Sequence, residues 1–161
     1  MPITSAEIVY RLSGGAANSN ANTSLGGAKS STVVPAALFD DVTSAESAAG
    51  DTEYRCFYVH NANASLAMQN AVIYIQANTT GSRIAIGVGS SAINATEQTV
   101  ADEGTAPAGV TFYQPANKAA GLALGNIPAG QHRAVWVRRT IGAATAAAND
   151  TYTLQIGRAH V

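Results

Sequence analysis

The chain alternates short hydrophobic segments with polar, glycine-rich ones, and the hydrophobic segments follow a two-residue period. The clearest alternation runs from Arg133 to Ile141, where Val135 and Val137 share one face while Trp136 and Arg138 share the other. Such alternation predicts a β-strand with one face in a core and the other directed outward. The same reasoning predicts strands in segments 8–12, 54–60, 71–76, 83–88, 110–112 and 152–156.

Three of these strands follow one another closely. Segments 54–60, 71–76 and 83–88 are separated by polar residues that are typical of turns. We therefore expect them to be consecutive antiparallel neighbours.

Two other segments predict different structures. Residues 13–31 carry almost no apolar side chains to bury, which predicts an extended arm or a long loop. Thr43 and Glu46 have the spacing of a capping box, and Gly50 follows one turn later. A single helical turn is therefore expected between strands.

About seven short strands without any helix-length apolar repeat favour two packed antiparallel sheets. We therefore expect an all-β protein, an antiparallel two-sheet β-sandwich of jelly-roll or Ig-like type with an extended N-terminal arm. Residues 1–38 would form the N-terminal strand and arm or loop, and residues 39–161 the sandwich core. A length of 161 residues agrees with one structural domain.

Composition and charge restrict the partners. Charged residues make up only 12% of the chain, and nine basic residues against ten acidic ones give a net charge of −1. This balance creates no long-range field for a polyanion, so neither nucleic acid nor a membrane is expected as a partner. Residues 1–7 have neither a basic start nor an apolar run, which predicts that they are not a secretory signal.

Candidate chemistry is sparse. Cys56 is the single cysteine, so no intramolecular disulfide or thiolate zinc site is expected. His60 lies four residues along the same predicted strand, about 13 Å away, which is too far for a nucleophile and its base. Cys56 is therefore interpreted as a small buried core residue, with a remote partnership with His132 and Asp150 as the alternative.

Two further motifs have structural interpretations. Gly87–Ala92 matches the relaxed dinucleotide fingerprint, but no long helix follows it, so it is interpreted as a strand end and a turn. The acid pairs Asp40-Asp41 and Asp102-Glu103, and the acids Asp51 and Glu53 that flank Thr52, lack the ligand ladder of a calcium loop and are interpreted as solvated residues. No catalytic residue, cofactor or metal is predicted, and we expect no enzymatic activity.

The most basic local group is a candidate protein contact. Arginine and tryptophan are enriched at protein interfaces, and two residues of the arm are added as candidates. The alternatives are a groove for single-stranded nucleic acid and a merely solvated strand face on which a loop partly covers the tryptophan ring. The six predicted contact residues are Leu25, Lys29, Arg133, Trp136, Arg138 and Arg139.

Two blocks of the chain carry a resemblance to a known class. Residues 54–63 with the strand after them, and residues 125–140, resemble small β-sandwich structural proteins of tailed bacteriophages, over most of residues 39–157. The resemblance implies a virion component, commonly a capsid decoration or cement protein and sometimes a tail or baseplate component. It does not fix the stoichiometry, because no trimer signature is evident.

The expected function is therefore a capsid decoration or cement protein that binds the outer surface of a phage head and stabilises it. Its partners would be the major capsid protein, neighbouring copies of itself, or both, as a homo-oligomer on the virion. Synthesis would take place in the cytoplasm of the host bacterium. The alternative is a tail, baseplate or fibre component that binds a receptor or glycan through an aromatic residue such as Trp136 or Tyr113.

Overall fold

The computed structural model describes residues 2–79, 83–146 and 149–159. Within these ranges the chain forms one short α-helix and nine β-strands, and no helix has the length and apolar character that crossing a membrane requires. The elements are β1 (Ile8–Leu12), β2 (Gly26–Gly27), α1 (Ser44–Ala49), β3 (Asp51–Asn61), β4 (Met68–Asn78), β5 (Ile84–Val88), β6 (Glu97–Thr99), β7 (Leu122–Ile127), β8 (His132–Ile141) and β9 (Tyr152–Ala159).

The strands form antiparallel sheets, which confirms the predicted all-β class. One sheet has the order β1-β3-β8-β5, a second has the order β7-β4-β9, and β2 pairs with β6 in a small ribbon. The prediction that β3, β4 and β5 are consecutive neighbours is wrong, because β4 lies in the second sheet and β8 separates β3 from β5. Long-range pairing of β3 with β8, from Asp51↔Ile141 to His60↔His132, outweighs proximity in sequence.

One hydrophobic core draws residues from both larger sheets. Phe57, Val59, Val135 and Val137 of the four-stranded sheet belong to the same buried cluster as residues of β4, β7 and β9. This side of the four-stranded sheet is called the inner face below. Each aliphatic side chain that is fully buried there contributes about 1.5–3 kcal/mol.

The opposite side of this sheet, the outer face, is also covered. It carries Cys56, Tyr58 and Trp136, which form a second buried cluster with residues from the long loops. The loop 13–31 is fixed to this face, since Cys56 donates its backbone N–H to the Ser24 carbonyl at 2.7 Å. The expected arm is therefore a long loop packed against the sheet. Both faces of the central strands are consequently buried.

The predicted helical turn is confirmed with its caps. The Thr43 hydroxyl accepts from the Glu46 backbone N–H, while the Glu46 carboxylate accepts from the Thr43 backbone N–H at 2.6 Å. Gly50 ends α1 with a φ of 80°, a conformation that residues with a Cβ rarely adopt. The chain then enters β3 directly, which places acidic residues of helix and strand side by side.

Candidate functional site

The three arginines predicted as one contact surface lie in three places. The guanidinium carbon of Arg138 lies 5.3 Å from the centroid of the Phe112 ring on the outer face. Arg139, the next residue along the strand, forms a 2.5 Å ion pair with Glu53. Arg133 is five residues from Arg138, about 17 Å along an extended strand. The structure therefore does not assemble the predicted cluster.

Trp136 faces outward from the sheet as predicted, yet 0% of the residue is exposed. Val100, Val110 and Phe112 pack in the same cluster, and Leu25 reaches it from the loop 13–31. Strand alternation identifies the face on which a side chain lies, but not the loops that cover that face. The expectation that Trp136 is an exposed contact residue is therefore corrected, and Leu25 is half-buried against the same cluster.

Arg139 belongs to a charge network at one end of the sheet. Its guanidinium carbon lies 4.7 Å from the centroid of the Phe39 ring, and that of Arg55 lies 5.2 Å from the same centroid. Arg55 has a fully buried side chain and contacts Glu103 at 2.6 Å. Buried charges require such compensation, so this network holds β3, β8 and two loops together.

A second group of basic side chains lies at the other end of the outer face. His60 of β3 and His132 of β8 are directly paired across the strands. Arg11 of β1 is paired with Tyr58, an outer-face residue of β3, so Arg11 lies on the same face as the two histidines. Lys29 in the loop 13–31 acts electrostatically on both histidines. We call Arg11, Lys29, His60 and His132 the basic cluster. One predicted contact residue, Lys29, therefore lies in a charged group that the fold assembles.

Among the residues that the structure describes, none of the four in the basic cluster forms an ion pair, whereas Arg55, Arg83 and Arg139 do. Burial lowers the pKa of His60 and of His132, and Lys29 lowers both further. Burial and Arg11 likewise lower the pKa of Lys29. An anionic group bound here would relieve this repulsion and raise these pKa values again.

The hydrogen bonds of the basic cluster leave three buried nitrogen atoms unused. His60 Nε2 lies 3.2 Å from the Gly130 carbonyl oxygen, which can only accept, so Nε2 carries the proton of the neutral ring. Within the part of the chain that the structure describes, Nδ1 of His60, Nδ1 of His132 and Nε of Arg11 are buried without a hydrogen-bond partner. When the imidazoles are protonated, these atoms become donors suited to a carboxylate or another anion.

The glycine-rich segment 87–92 binds an anion that belongs to the chain itself. The Glu97 carboxylate accepts from Ser90 N at 3.2 Å, Ser90 Oγ at 2.9 Å and Ser91 N at 2.9 Å. Burial raises the pKa of Glu97, but these donors outweigh it and lower the pKa to about 2. The turn interpretation of the dinucleotide-like motif agrees with this arrangement, in which Glu97 fills the anion position.

The thiol of Cys56 is placed as a core residue. Cys56 is fully buried opposite Trp136 in the register of β3 and β8. Burial raises the pKa of the thiol strongly, and a thiol rather than a thiolate is a poor nucleophile. The His132 ring packs edge-on against Tyr58, with ring centroids 4.8 Å apart. The structure therefore favours the core interpretation of Cys56 over the alternative with His132 and Asp150.

A cleft of about 1170 Å³ lies between segments 34–44 and 149–154. Tyr10 lines it and donates its hydroxyl to the Leu154 carbonyl at 3.3 Å. Burial raises the pKa of Tyr10 to about 12, with a contribution from Tyr74, so the phenol stays neutral. Of the six predicted contact residues, Arg139 is the one found among the described lining residues.

Comparison with protein-family models, with curated proteins and with solved structures gave no match for this chain. The resemblance to phage virion proteins therefore stays a prediction.

Sequence reasoning missed the residues that the fold brings together. His60 and His132 are 72 positions apart, and the pairing of β3 with β8 makes them neighbours. The sequence around Glu97 gave no signal, because the convergence of the Ser90 and Ser91 N–H groups on its carboxylate is evident only in the structure. The cluster of basic side chains that brings Arg11 near Lys29 and His60 is recognisable only in the folded chain.

Proposed function

We propose that the two larger sheets pack as a β-sandwich, jelly-roll or Ig-like, and that the protein is a structural virion component without enzymatic activity. The shared hydrophobic core, to which Val135 and Ile73 both belong, supports the sandwich. The buried neutral thiol of Cys56 and the fully engaged carboxylate of Glu97 support a role without bond-making chemistry. Such a protein acts by adhesion.

The basic cluster is the observation that carries this proposal. It joins Lys29 of the loop 13–31 to a face of the four-stranded sheet, and buried nitrogen atoms of Arg11, His60 and His132 have no hydrogen-bond partner among the described residues. A surface that is locally positive on a chain of net charge −1 suits contact with acidic side chains of another protein. The partner is the major capsid protein on the outside of a phage head, with neighbouring copies of this chain as further contacts.

A capsid lattice presents the same contact many times. Contacts between neighbouring copies multiply through effective concentration, so each copy needs only a weak attachment. The low overall charge limits repulsion between adjacent copies. The protein would be made in the host bacterial cytoplasm and would assemble on the capsid surface.

The experiment compares two lysine variants on purified virions. Copies of the protein per particle are counted by quantitative mass spectrometry for the wild type, Lys29→Glu and Lys118→Glu. Lys118 is exposed beside the three-stranded sheet and undergoes the same charge reversal, which makes it the matched control. We expect at least about tenfold fewer copies for Lys29→Glu, equivalent to about 1.4 kcal/mol, and unchanged occupancy for Lys118→Glu.

Two outcomes would contradict the proposal. Either the wild-type protein is absent from purified particles, or Lys29→Glu occupies them as well as Lys118→Glu does. Deletion of residues 13–31 is a poorer test, because that loop covers Trp136 and its loss would expose the outer face. Electron microscopy of the intact particle locates the protein on head or tail.

A tail, baseplate or fibre role is the second candidate. Tyr113 has 54% of its surface exposed, and its backbone exchanges two hydrogen bonds with Ile86, at 2.8 and 2.9 Å. An exposed aromatic ring on a hydrogen-bonded backbone is suited to stacking against a sugar. Binding on a glycan array that Tyr113→Ala abolishes, together with a location on the tail, would favour this role over capsid decoration.

A further inference from the structure

Three carboxylates converge where α1 leads into β3. Glu46 lies in α1, Gly50 reverses the chain, and Asp51 and Glu53 follow two residues apart on the same side of β3. One carboxylate oxygen from each of Glu46, Asp51 and Glu53 lies within 4.8 Å of the others. The local sequence imposes this convergence, because the capping box fixes Glu46 and the strand period fixes the two other residues.

Each carboxylate of this triad already uses one oxygen. The Glu46 carboxylate accepts from Thr43 N at 2.6 Å, and Asp51 accepts from Thr52 N at 2.8 Å. Arg139 Nε donates to Glu53 Oε2 at 2.6 Å. The hydrogen bonds therefore orient the three groups, and none to the second oxygen of any of them is found within the described part of the chain.

Glu53 provides the independent observation. It is 1% exposed, and its Oε1 is buried with no hydrogen-bond partner among the residues that the structure describes. An ionised oxygen in that position is costly unless a donor or a cation faces it. Burial raises the pKa of Glu53 despite Arg139, which indicates that the carboxylate is incompletely compensated.

Asp40 and Glu103 form a second triad with Glu53, but their charges are already matched. Arg55 contacts Glu103 at 2.6 Å and Asp40 at 3.7 Å, and Arg139 contacts Asp40 at 3.6 Å. A metal ion there would meet two guanidinium groups. The triad at Glu46, Asp51 and Glu53 has one guanidinium, that of Arg139, against three carboxylates.

We propose that Glu46, Asp51 and Glu53 form a binding site for one calcium ion. Calcium binds oxygen ligands at about 2.4 Å, so two oxygens on one ion are at most about 4.8 Å apart, which the triad satisfies. Three carboxylates and one arginine leave two negative charges, which a divalent cation neutralises. Calcium accepts irregular coordination completed by water, whereas magnesium requires a nearly ideal octahedron. The bound ion would join α1 to the start of β3.

The test measures calcium binding to the full-length chain. Isothermal titration with CaCl₂ is expected to give one site with a dissociation constant on the order of 0.1–1 mM, as for other solvent-accessible calcium sites. In 5 mM CaCl₂ the melting temperature should rise by about 3–6 °C relative to EGTA, with a much smaller rise in 5 mM MgCl₂.

Asp51→Asn and Glu46→Gln are each expected to weaken calcium binding at least about tenfold, while Asp41→Asn, a neutralised exposed acid outside the triad, should bind as the wild type does. Every comparison is made within one variant with and without calcium, so an altered basal stability does not affect it. The proposal is overturned by the absence of a calcium response, by an equal response to magnesium, or by full binding in both triad variants. None of these results bears on the virion role.

Discussion

The replacement Glu97→Gln tests how a buried carboxylate stabilises the outer face. The donors of the Ser90–Ser91 turn lower the pKa of Glu97 from 4.5 to about 2 against the opposing effect of burial. At about 1.4 kcal/mol per pH unit, this difference corresponds to about 3 kcal/mol of folding free energy. The unfolded chain protonates Glu97 near pH 4.5 and the folded chain only near pH 2. The contribution is therefore complete above pH 4.5 and is lost as the pH falls toward 2.

The assay is urea unfolding followed by the fluorescence of Trp136, the only tryptophan in the chain. We expect Glu97→Gln to be less stable than the wild type by about 3 kcal/mol at pH 7 and by about 1 kcal/mol at pH 2.5. Asp41→Asn, which neutralises an exposed acid, is the control and should change stability by less than about 0.5 kcal/mol. A pH-independent difference, or a Glu97→Gln variant as stable as the control, would refute the reasoning.

Three further predictions concern packing and protonation. In Gly26→Ala the added methyl group would lie 1.8 Å from the Gln98 carbonyl oxygen, so we expect the stability to fall by about 2–4 kcal/mol. Gly15→Ala, where the methyl group has open space, should cost only about 1 kcal/mol. Equal melting temperatures of the two variants would contradict this prediction. Cys56 should react with a thiol reagent at pH 8 at least about 100-fold more slowly in the folded than in the urea-unfolded chain, and rapid labelling of folded protein would show that it is accessible. Because His60 and His132 have lowered pKa values, the folded chain binds fewer protons than the unfolded chain, and the stability should fall from pH 7 to pH 5. Replacement of both residues by glutamine should reduce this fall. If the pH dependence is unchanged in the double variant, these histidines are not its source.

Local signals predicted most of the elements, but the segment 110–112 is not the strand that was predicted; only the neighbouring Tyr113 forms an isolated bridge, with Ile86. The capping box at Thr43 and Glu46 and the alternation around Val135 depend on neighbouring residues alone, and the structure has both. The strand at 122–127 was missed, because Gly125 and Asn126 interrupt its apolar period. What could be predicted was whether a segment is extended and which of its faces is apolar.

Sheet membership and loop cover could not be predicted in the same way. β4 follows β3 in sequence, but it pairs with β7 and β9 in the other sheet. This arrangement buries apolar residues of both sheets in a common core. Trp136 was assigned to the correct face, yet its burial depends on Val100 and Phe112, which come from a distant loop. The candidate site depends on the same long-range pairing, which makes neighbours of His60 and His132.

The position of β8 between β3 and β5 also determines when the protein can fold. A nascent chain that has reached residue 131 has synthesised both flanking strands without the strand that joins them. The edges of β3 and β5 that pair with β8 then have no partner strand, so their aliphatic residues are exposed to chaperones, proteases and other nascent chains. Folding of the four-stranded sheet is consequently delayed until residues 132–141 have left the ribosome. Pausing of translation just before that point would lengthen the interval in which aggregation competes with folding.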